Sequence, residues 1–230
     1  MSNLAIIPAR GGSKRIPRKN IKFFLGKPII AYSIEAAIRS ELFDEVMVST
    51  DDEEIAEIAG SYGAKVPFLR SFENASDFST TVEVIFEVLN CYKKQQIQFE
   101  NGCCIYPTAP LINADRLKQG SELLEKGKFN TVFPVVEFSY PIWRSLKLRG
   151  NEKAEMFWPE NLNKRSQDLE PAYHDAGQFY WFNCNTIAKE QNLFNGNSAV
   201  IRLNEMEVQD IDTMNDWRLA EMKYKILNEV

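Results

Sequence analysis

Residues 6–24 read IIPARGGSKRIPRKNIKFF. Their first letters complete an apolar run, NLAIIPA at 3–9, with the composition of a buried strand. The rest of the stretch carries Arg10, Lys14, Arg15, Arg18, Lys19 and Lys22 without one carboxylate. A strand that empties into a glycine-containing cationic loop is how open α/β sheets meet anions. Gly11 and Gly12 allow backbone N–H groups to approach an anion closely, and Arg10 and Lys19 can grip phosphates from two sides. The loop fits neither G-x-x-x-x-G-K-[ST] nor G-x-G-x-x-G, so it is neither a Walker A loop nor a dinucleotide fingerprint. A solvated basic loop is the plainer reading of these residues taken alone.

Outward from this stretch, strand-like runs alternate with helical patterns. NLAIIPA, DEVMVST (44–50), AKVPFLR (64–70), GCCIYPT (102–108) and NTVFPVVEF (130–138) are separated by helical patterns at 28–41, 52–62, 80–97 and 113–126. The alternation predicts an α/β fold, a mostly parallel sheet with helices on both faces. Pro28 suits a first helical turn, Asp51 or Asp52 can cap the second helix, and Thr80 stands three residues before Glu83 in capping-box spacing. From Ser139 to Asp175 the alternation breaks into a polar stretch rich in Pro, Trp and charge. The domain thus divides into 1–138 and 176–230, with 139–175 as an insertion. GQFYWFN (177–183) and NSAVIRL (197–203) resume the sheet, and residues 212–227 close the chain as an amphipathic helix.

The 230 residues, 44% apolar, suffice for one large domain. Net charge is −5, yet residues 1–34 hold seven Lys/Arg and no Asp/Glu, so the remaining 20 basic residues face 32 acidic ones. So local a patch suits a compact anion such as a nucleoside triphosphate and argues against wrapping nucleic acid. No export signal or membrane-length apolar run is present, and the expected location is the cytoplasm. Cys91, Cys103, Cys104 and Cys184 lack C-x-x-C spacing and read as structural thiols. With His174 as the one histidine, a metal would have to be held by carboxylates, which favours Mg²⁺ or Mn²⁺.

Asp210 and Asp212, at i and i+2 in QDIDT (209–213), project to one side of an extended chain and can share a hard cation. Asp212 or Thr213 can equally cap the terminal helix. Tyr106 to Pro110, YPTAP, makes a corner at the carboxyl end of a strand, where ligands bind in such sheets. Phe179, Tyr180, Trp181 and Phe182 alternate faces; one pair can fill the core while the other meets a substrate.

Taken together, IIPARGGSKRIPRKNI, LGKPIIAYSIEAA (25–37), VMVSTDDEEIAEIA (46–59), YPTAP and QDIDT resemble, in register over nearly the whole chain, the CMP-sialic acid synthetase family of cytidylyltransferases. RSQDLEPAYHDAGQFYWF (165–182) is most similar to the branch acting on pseudaminic acid. The resemblance implies a Rossmann-like nucleotidyltransferase sheet with a dimerisation insertion, hence a homodimer. It implies CMP transfer from CTP to the anomeric hydroxyl of a nine-carbon 2-keto sugar acid, with pyrophosphate leaving. Arg10, Gly11, Gly12, Ser13, Lys19 and Asn20 would hold the nucleotide with Pro107 and Thr108, and Arg70 and Ser79 would read cytosine. Tyr106, Arg165, Gln178 and Tyr180 would face the sugar acid, and Asp210 and Asp212 would hold Mg²⁺ or Mn²⁺. Arg10, Lys19, Asp210 and Asp212 would be catalytic. An N-acylneuraminate or legionaminate enzyme is the alternative within the family, and a non-catalytic nucleotide-binding module the alternative outside it.

Overall fold

A computed structural model of the chain describes residues 2–150 and 152–229. The chain forms β1 (Asn3–Pro8), β2 (Phe23–Phe24), β3 (Lys27–Pro28), α1 (Ile29–Ser40), β4 (Glu45–Ser49), α2 (Glu53–Ser61), α3 (Thr81–Lys94), β5 (Asn101–Ile105), α4 (Ala114–Gly127) and β6 (Thr131–Glu137). It continues through β7 (Leu146–Arg149), β8 (Lys153–Met156), β9 (Tyr173–Asp175), β10 (Phe179–Asn183), α5 (Cys184–Glu190), β11 (Ser198–Leu203) and α6 (Met214–Asn228).

The main sheet has the order β11-β6-β10-β5-β1-β4. β1 pairs in parallel with β4 and β5, and β6 with β11. β10 is antiparallel to both its neighbours and β9 to β6, so five strands run one way and these two the other. β9 pairs with β6 at Val135 to Glu137, on the side where β10 pairs with it at Thr131 and Val132. The fold class expected from the alternation is the one observed.

Period-two alternation in the strands divides the core. Ala5 and Ile7 face Ile30 and Ile34 of α1, Ile55 of α2 and Leu117 of α4. Leu4 and Ile6 face Ile85 and Val88 of α3 and Ile187 of α5 on the opposite side. Both pairs of the aromatic strand are consumed this way, Phe179 and Trp181 on one face, Tyr180 and Phe182 on the other. Gly102 of β5 sits opposite Phe182, and a Cβ there would come within 2.5 Å of that ring, so the flat contact requires glycine. α6 lies on a separate small cluster in which Trp217 and Ala220 meet Ile16, Phe24 and Ile29.

Local chemistry sets the helix starts. Asp52 caps α2 by accepting from Ile55 N–H, and Thr80 with Glu83 closes the capping box of α3. Pro28 stands one residue ahead of the first turn of α1. At α6 the cap is Thr213, boxed with Asp216, which also accepts from Asp212 N–H at 3.1 Å; the Asp212 carboxylate has no part in the cap.

Residues 64–70, expected as a strand, make only an isolated bridge between Met47 and Lys65. Lys65 N–H donates to Val46 O at 2.9 Å and Lys65 O accepts from Val48, and contact with this edge returns only at Arg70, whose N–H reaches Thr50 O. Pro67 has no N–H to continue the ladder between them. The insertion expected over 139–175 is shorter by three residues, since 173–175 return to the main sheet as β9 on β6; within the rest, β7 and β8 form a hairpin outside that sheet. Trp143 and Trp158 shield one another, their rings 5.4 Å apart, while Tyr140 (83%) and Leu148 (80%) are the most exposed apolar side chains of that stretch. Cys103, Cys104 and Cys184 are buried free thiols.

Candidate active site

The carboxyl ends of β1 and β5 open onto a cleft of about 320 Å³. Among the residues predicted for the site, Arg10, Ser13, Lys19, Asn20, Arg70, Ser79, Tyr106, Pro107 and Thr108 line it. The basic loop leaves β1 at Pro8, passes along one wall and turns at a 3₁₀ segment, Lys19–Ile21, entered through Arg18 in the left-handed region at φ 55°. Arg18 holds that unusual backbone against Asp52, with a hydrogen bond of 3.0 Å from Nη2 to Oδ1 and a second from Nη1 to Oδ2. Asn20 is buried and its amide donates to Arg10 O at 2.9 Å, tying the end of the loop to its beginning.

Lys19 is the inner cation. Its Nζ donates to Ile211 O at 2.7 Å and lies 4.0 Å from Asp212 Oδ1, so the C-terminal QDIDT segment and the basic loop meet at this amine. Burial pushes the Lys19 amine below its ordinary range while Asp212 and Asp210 oppose that shift. Asp212 also pairs with Arg15. The Asp210 carboxyl is pushed upward by desolvation and then by the charge of Asp212, as expected of two carboxylates sharing one corner. Neither aspartate lines the cleft wall itself.

Arg70 is 8% exposed, its Nε donating to Ser49 Oγ at 3.0 Å and Nη2 to Ser49 O. Among the described residues it makes no ion pair. A guanidinium this buried, with only neutral acceptors, presents unused donors to the cleft. Ser79 Oγ bonds Ser76 Oγ and Glu73 O, on the opposite wall.

Several expected residues stand elsewhere. Gly11 and Gly12 do not line the cleft, and the Gly11 N–H already donates to Asp51 Oδ1 at 3.0 Å. A Cβ on Gly11 would come 2.6 Å from Asp52 Oδ2, so this glycine serves the close approach of the loop to α2. Gln178 is buried and donates to Glu207 O. Tyr180 is 3% exposed, which corrects the expectation that one aromatic pair of β10 faces a ligand directly. Arg165 forks onto Asp168 at 2.8 and 3.0 Å, away from the cleft of its own chain. His174 packs its ring against Phe138.

Sequence reading missed Asp77. It stands on the far wall and pairs with both Arg10, at 2.6 Å, and Lys14. Thr80 and Thr81, at the start of α3, also line the cleft. The capping box marks those threonines as a helix start; nothing local marks Asp77 as the partner of a loop more than sixty residues earlier.

The arrangement can hold a compact polyanion against four cations, with a buried Arg70 positioned for a neutral polar group beside it. Comparison with known proteins agrees. The cytidylyltransferase profile matches residues 4–209. A pseudaminic acid cytidylyltransferase of Campylobacter jejuni is 46% identical over 229 residues, covering 100% of this chain and 99% of that one. A CMP-N,N'-diacetyllegionaminic acid synthase of Legionella pneumophila is 34% identical, again covering 100% and 99%. In fold, the chain is similar to a CMP:2-keto-3-deoxy-manno-octonic acid synthetase complexed with CTP, with a TM-score of 0.72 at 16% identity and full coverage of both chains. On the match from β1 to the QDIDT segment and the full-length likeness to these relatives, the chain belongs to the cytidylyltransferase family.

Proposed function

We propose that the chain transfers CMP from CTP to the anomeric hydroxyl of pseudaminic acid. The hydroxyl oxygen bonds the α-phosphorus, the bond to the β-phosphate bridging oxygen breaks, and pyrophosphate leaves. The observation that carries this reading is the convergence of Arg10, Lys14, Arg15 and Lys19 on one cleft wall facing Arg70 and the Tyr106 to Thr108 corner. Charge that builds on phosphate oxygens is met by cations already in place, with Lys19 anchored so that its amine needs no reorganisation. Arg70, with Ser79 across the cleft, reads the cytosine acceptors. The choice of sugar acid rests on 46% identity to the pseudaminic acid enzyme against 34% to the legionaminic acid enzyme.

Asp210 and Asp212 fit one Mg²⁺ or Mn²⁺. Among the described residues no third His, Cys, Asp or Glu joins them, so an ion held there would have to complete its shell with water and phosphate oxygens. When bound, such an ion neutralises phosphate charge and eases deprotonation of the attacking hydroxyl. The reading includes a cytoplasmic homodimer formed through 139–175, with Arg165 offered to the neighbouring site as a carboxylate fork. Among the described residues no helix is long and apolar enough to cross a membrane.

The test is pyrophosphate release from CTP and Mg²⁺ with pseudaminic, legionaminic and N-acylneuraminic acids, followed by mass analysis of the CMP-sugar. Turnover is expected with pseudaminic acid first, and Lys19→Ala is expected to lower it by about a hundredfold or more without unfolding the chain. Preference for another acid overturns the sugar assignment. Binding of CTP without turnover of any acid favours the nucleotide-binding module.

A further inference from the structure

Ser49 ends β4 at the carboxyl edge of the sheet and is 2% exposed. It does not line the cleft, yet it holds Arg70, which does. Ser49 Oγ accepts from Arg70 Nε at 3.0 Å, and Ser49 O accepts from Arg70 Nη2. The same carbonyl takes Ala9 N–H at 2.9 Å, so this one residue joins the exit of β1 to the guanidinium. Arg70 N–H donates to Thr50 O at 2.8 Å, which fixes the backbone from which the side chain departs.

A guanidinium carries its five N–H donors in one rigid plane. Ser49 occupies the edge shared by Nε and Nη2, and the next edge, shared by Nη1 and the second hydrogen of Nη2, is left over. Among the described residues nothing accepts from Nη1, and none of their buried side-chain nitrogens or oxygens is without a partner, so Nη1 is open to the cleft. With one edge bonded, the direction of the other is set. Two parallel donors fit two adjacent acceptors. Cytosine offers that pair in O2 and N3, whereas uracil places an N3–H where the second acceptor is needed, donor against donor.

We propose that Ser49 is a positioning residue for pyrimidine choice: by holding the Nε edge of Arg70 it aims the Nη1 and Nη2 edge at the base, so that the cleft accepts CTP and rejects UTP. This rests on the reading of the cleft as a CTP site and extends it to how the base is chosen. The Ser49 hydroxyl never touches the nucleotide. Its effect lies in denying the guanidinium a second orientation.

Ser49→Ala tests this, because the backbone carbonyl bond to Nη2 survives while the acceptor for Nε is lost, and the fork can turn about the remaining bond. Ser49→Cys keeps the side-chain volume with a weak sulfur acceptor. Equilibrium binding of CTP and of UTP is measured without any sugar acid for the parent, both Ser49 variants, Arg70→Lys and the double variant Ser49→Ala with Arg70→Lys, with melting temperatures throughout. Ser49→Ala is expected to raise Kd for CTP about tenfold, to leave Kd for UTP near the parent's, and so to cut the preference for CTP about tenfold, with Ser49→Cys between it and the parent. The double variant is expected to be no worse than Arg70→Lys, since Ser49 acts only through the guanidinium. A Ser49→Ala protein that keeps the parental ratio of CTP to UTP, whether or not it melts lower, makes Ser49 a packing residue and overturns the proposal; if Ser49→Ala does not fold, a parental ratio in Ser49→Cys does the same. Losses that multiply in the double variant also overturn it. A parent that binds neither nucleotide overturns the reading of the cleft and this role with it, whereas a parent that binds CTP without turning over any acid overturns only the transfer reaction.

Discussion

Arg15 and Asp212 lie 197 residues apart in the chain and form an ion pair at the cleft. Because Thr213 is the cap of α6, the Asp212 carboxylate has no duty at the helix terminus, and its partners Arg15 and Lys19 both belong to the basic loop. Asp212→Asn therefore separates chemistry from stability. Turnover is expected to fall by about a hundredfold or more, partly recovered at high Mg²⁺ or with Mn²⁺, while melting shifts by about a degree or less. An active, normally folded variant removes the cation assignment.

Asp77 pairs with Arg10 and Lys14, two of the cations proposed for the triphosphate. Its carboxylate must be displaced or shared when a stronger polyanion enters. Asp77→Asn is expected to lower KM for CTP by about two- to fivefold at low salt, with the gain shrinking as salt screens the exposed charges. A rise in KM at low salt would mean that Asp77 aims the two cations rather than competing for them.

Asp52 both caps α2 and holds Arg18, and the Arg18 hydrogen bonds keep its carboxyl below the ordinary value of 3.8. A carboxyl depressed by folding contributes stability that is fully present above the unfolded value and is lost as pH falls through the folded one. Asp52→Ala is thus expected to cost about 1–2 kcal/mol near neutral pH. Urea melts at pH 7 and pH 3 check the sign: the gap between parent and variant must narrow at the lower pH.

The hairpin of β7 and β8 offers a direct test of the proposed dimer. Leu148 is 80% and Phe157 53% exposed, an expense that a second copy would remove. Sedimentation at micromolar concentration is expected to give twice the 26.4 kDa chain mass, and Leu148→Glu with Phe157→Glu to return one chain mass without lowering the melting temperature of the monomer. A monomeric parent refutes this assembly.

By itself the sequence determined those features that are encoded over a few residues. Period-two runs such as NLAIIPA became core strands, and Thr80 with Glu83 started a helix, since a side chain that reaches three residues along needs no tertiary partner. The basic loop was legible because cations without neighbouring carboxylates are visible in one dimension. The 64–70 run misled because β-type composition does not disclose that Pro67 interrupts an edge ladder. Asp212 and Thr213 were equivalent as caps until the helix began at Met214, a one-residue choice set by α6 packing through Trp217 and Ala220 onto Phe24 and Ile29. Tertiary structure alone decided that β10 runs against its neighbours, that both its aromatic pairs are buried, and that Asp77, Asp212 and Ile211 meet the loop at 10–19. Strand direction and pairing across such separations depend on where the chain crosses itself, and that is set by the summed burial of the whole core rather than by any local spacing.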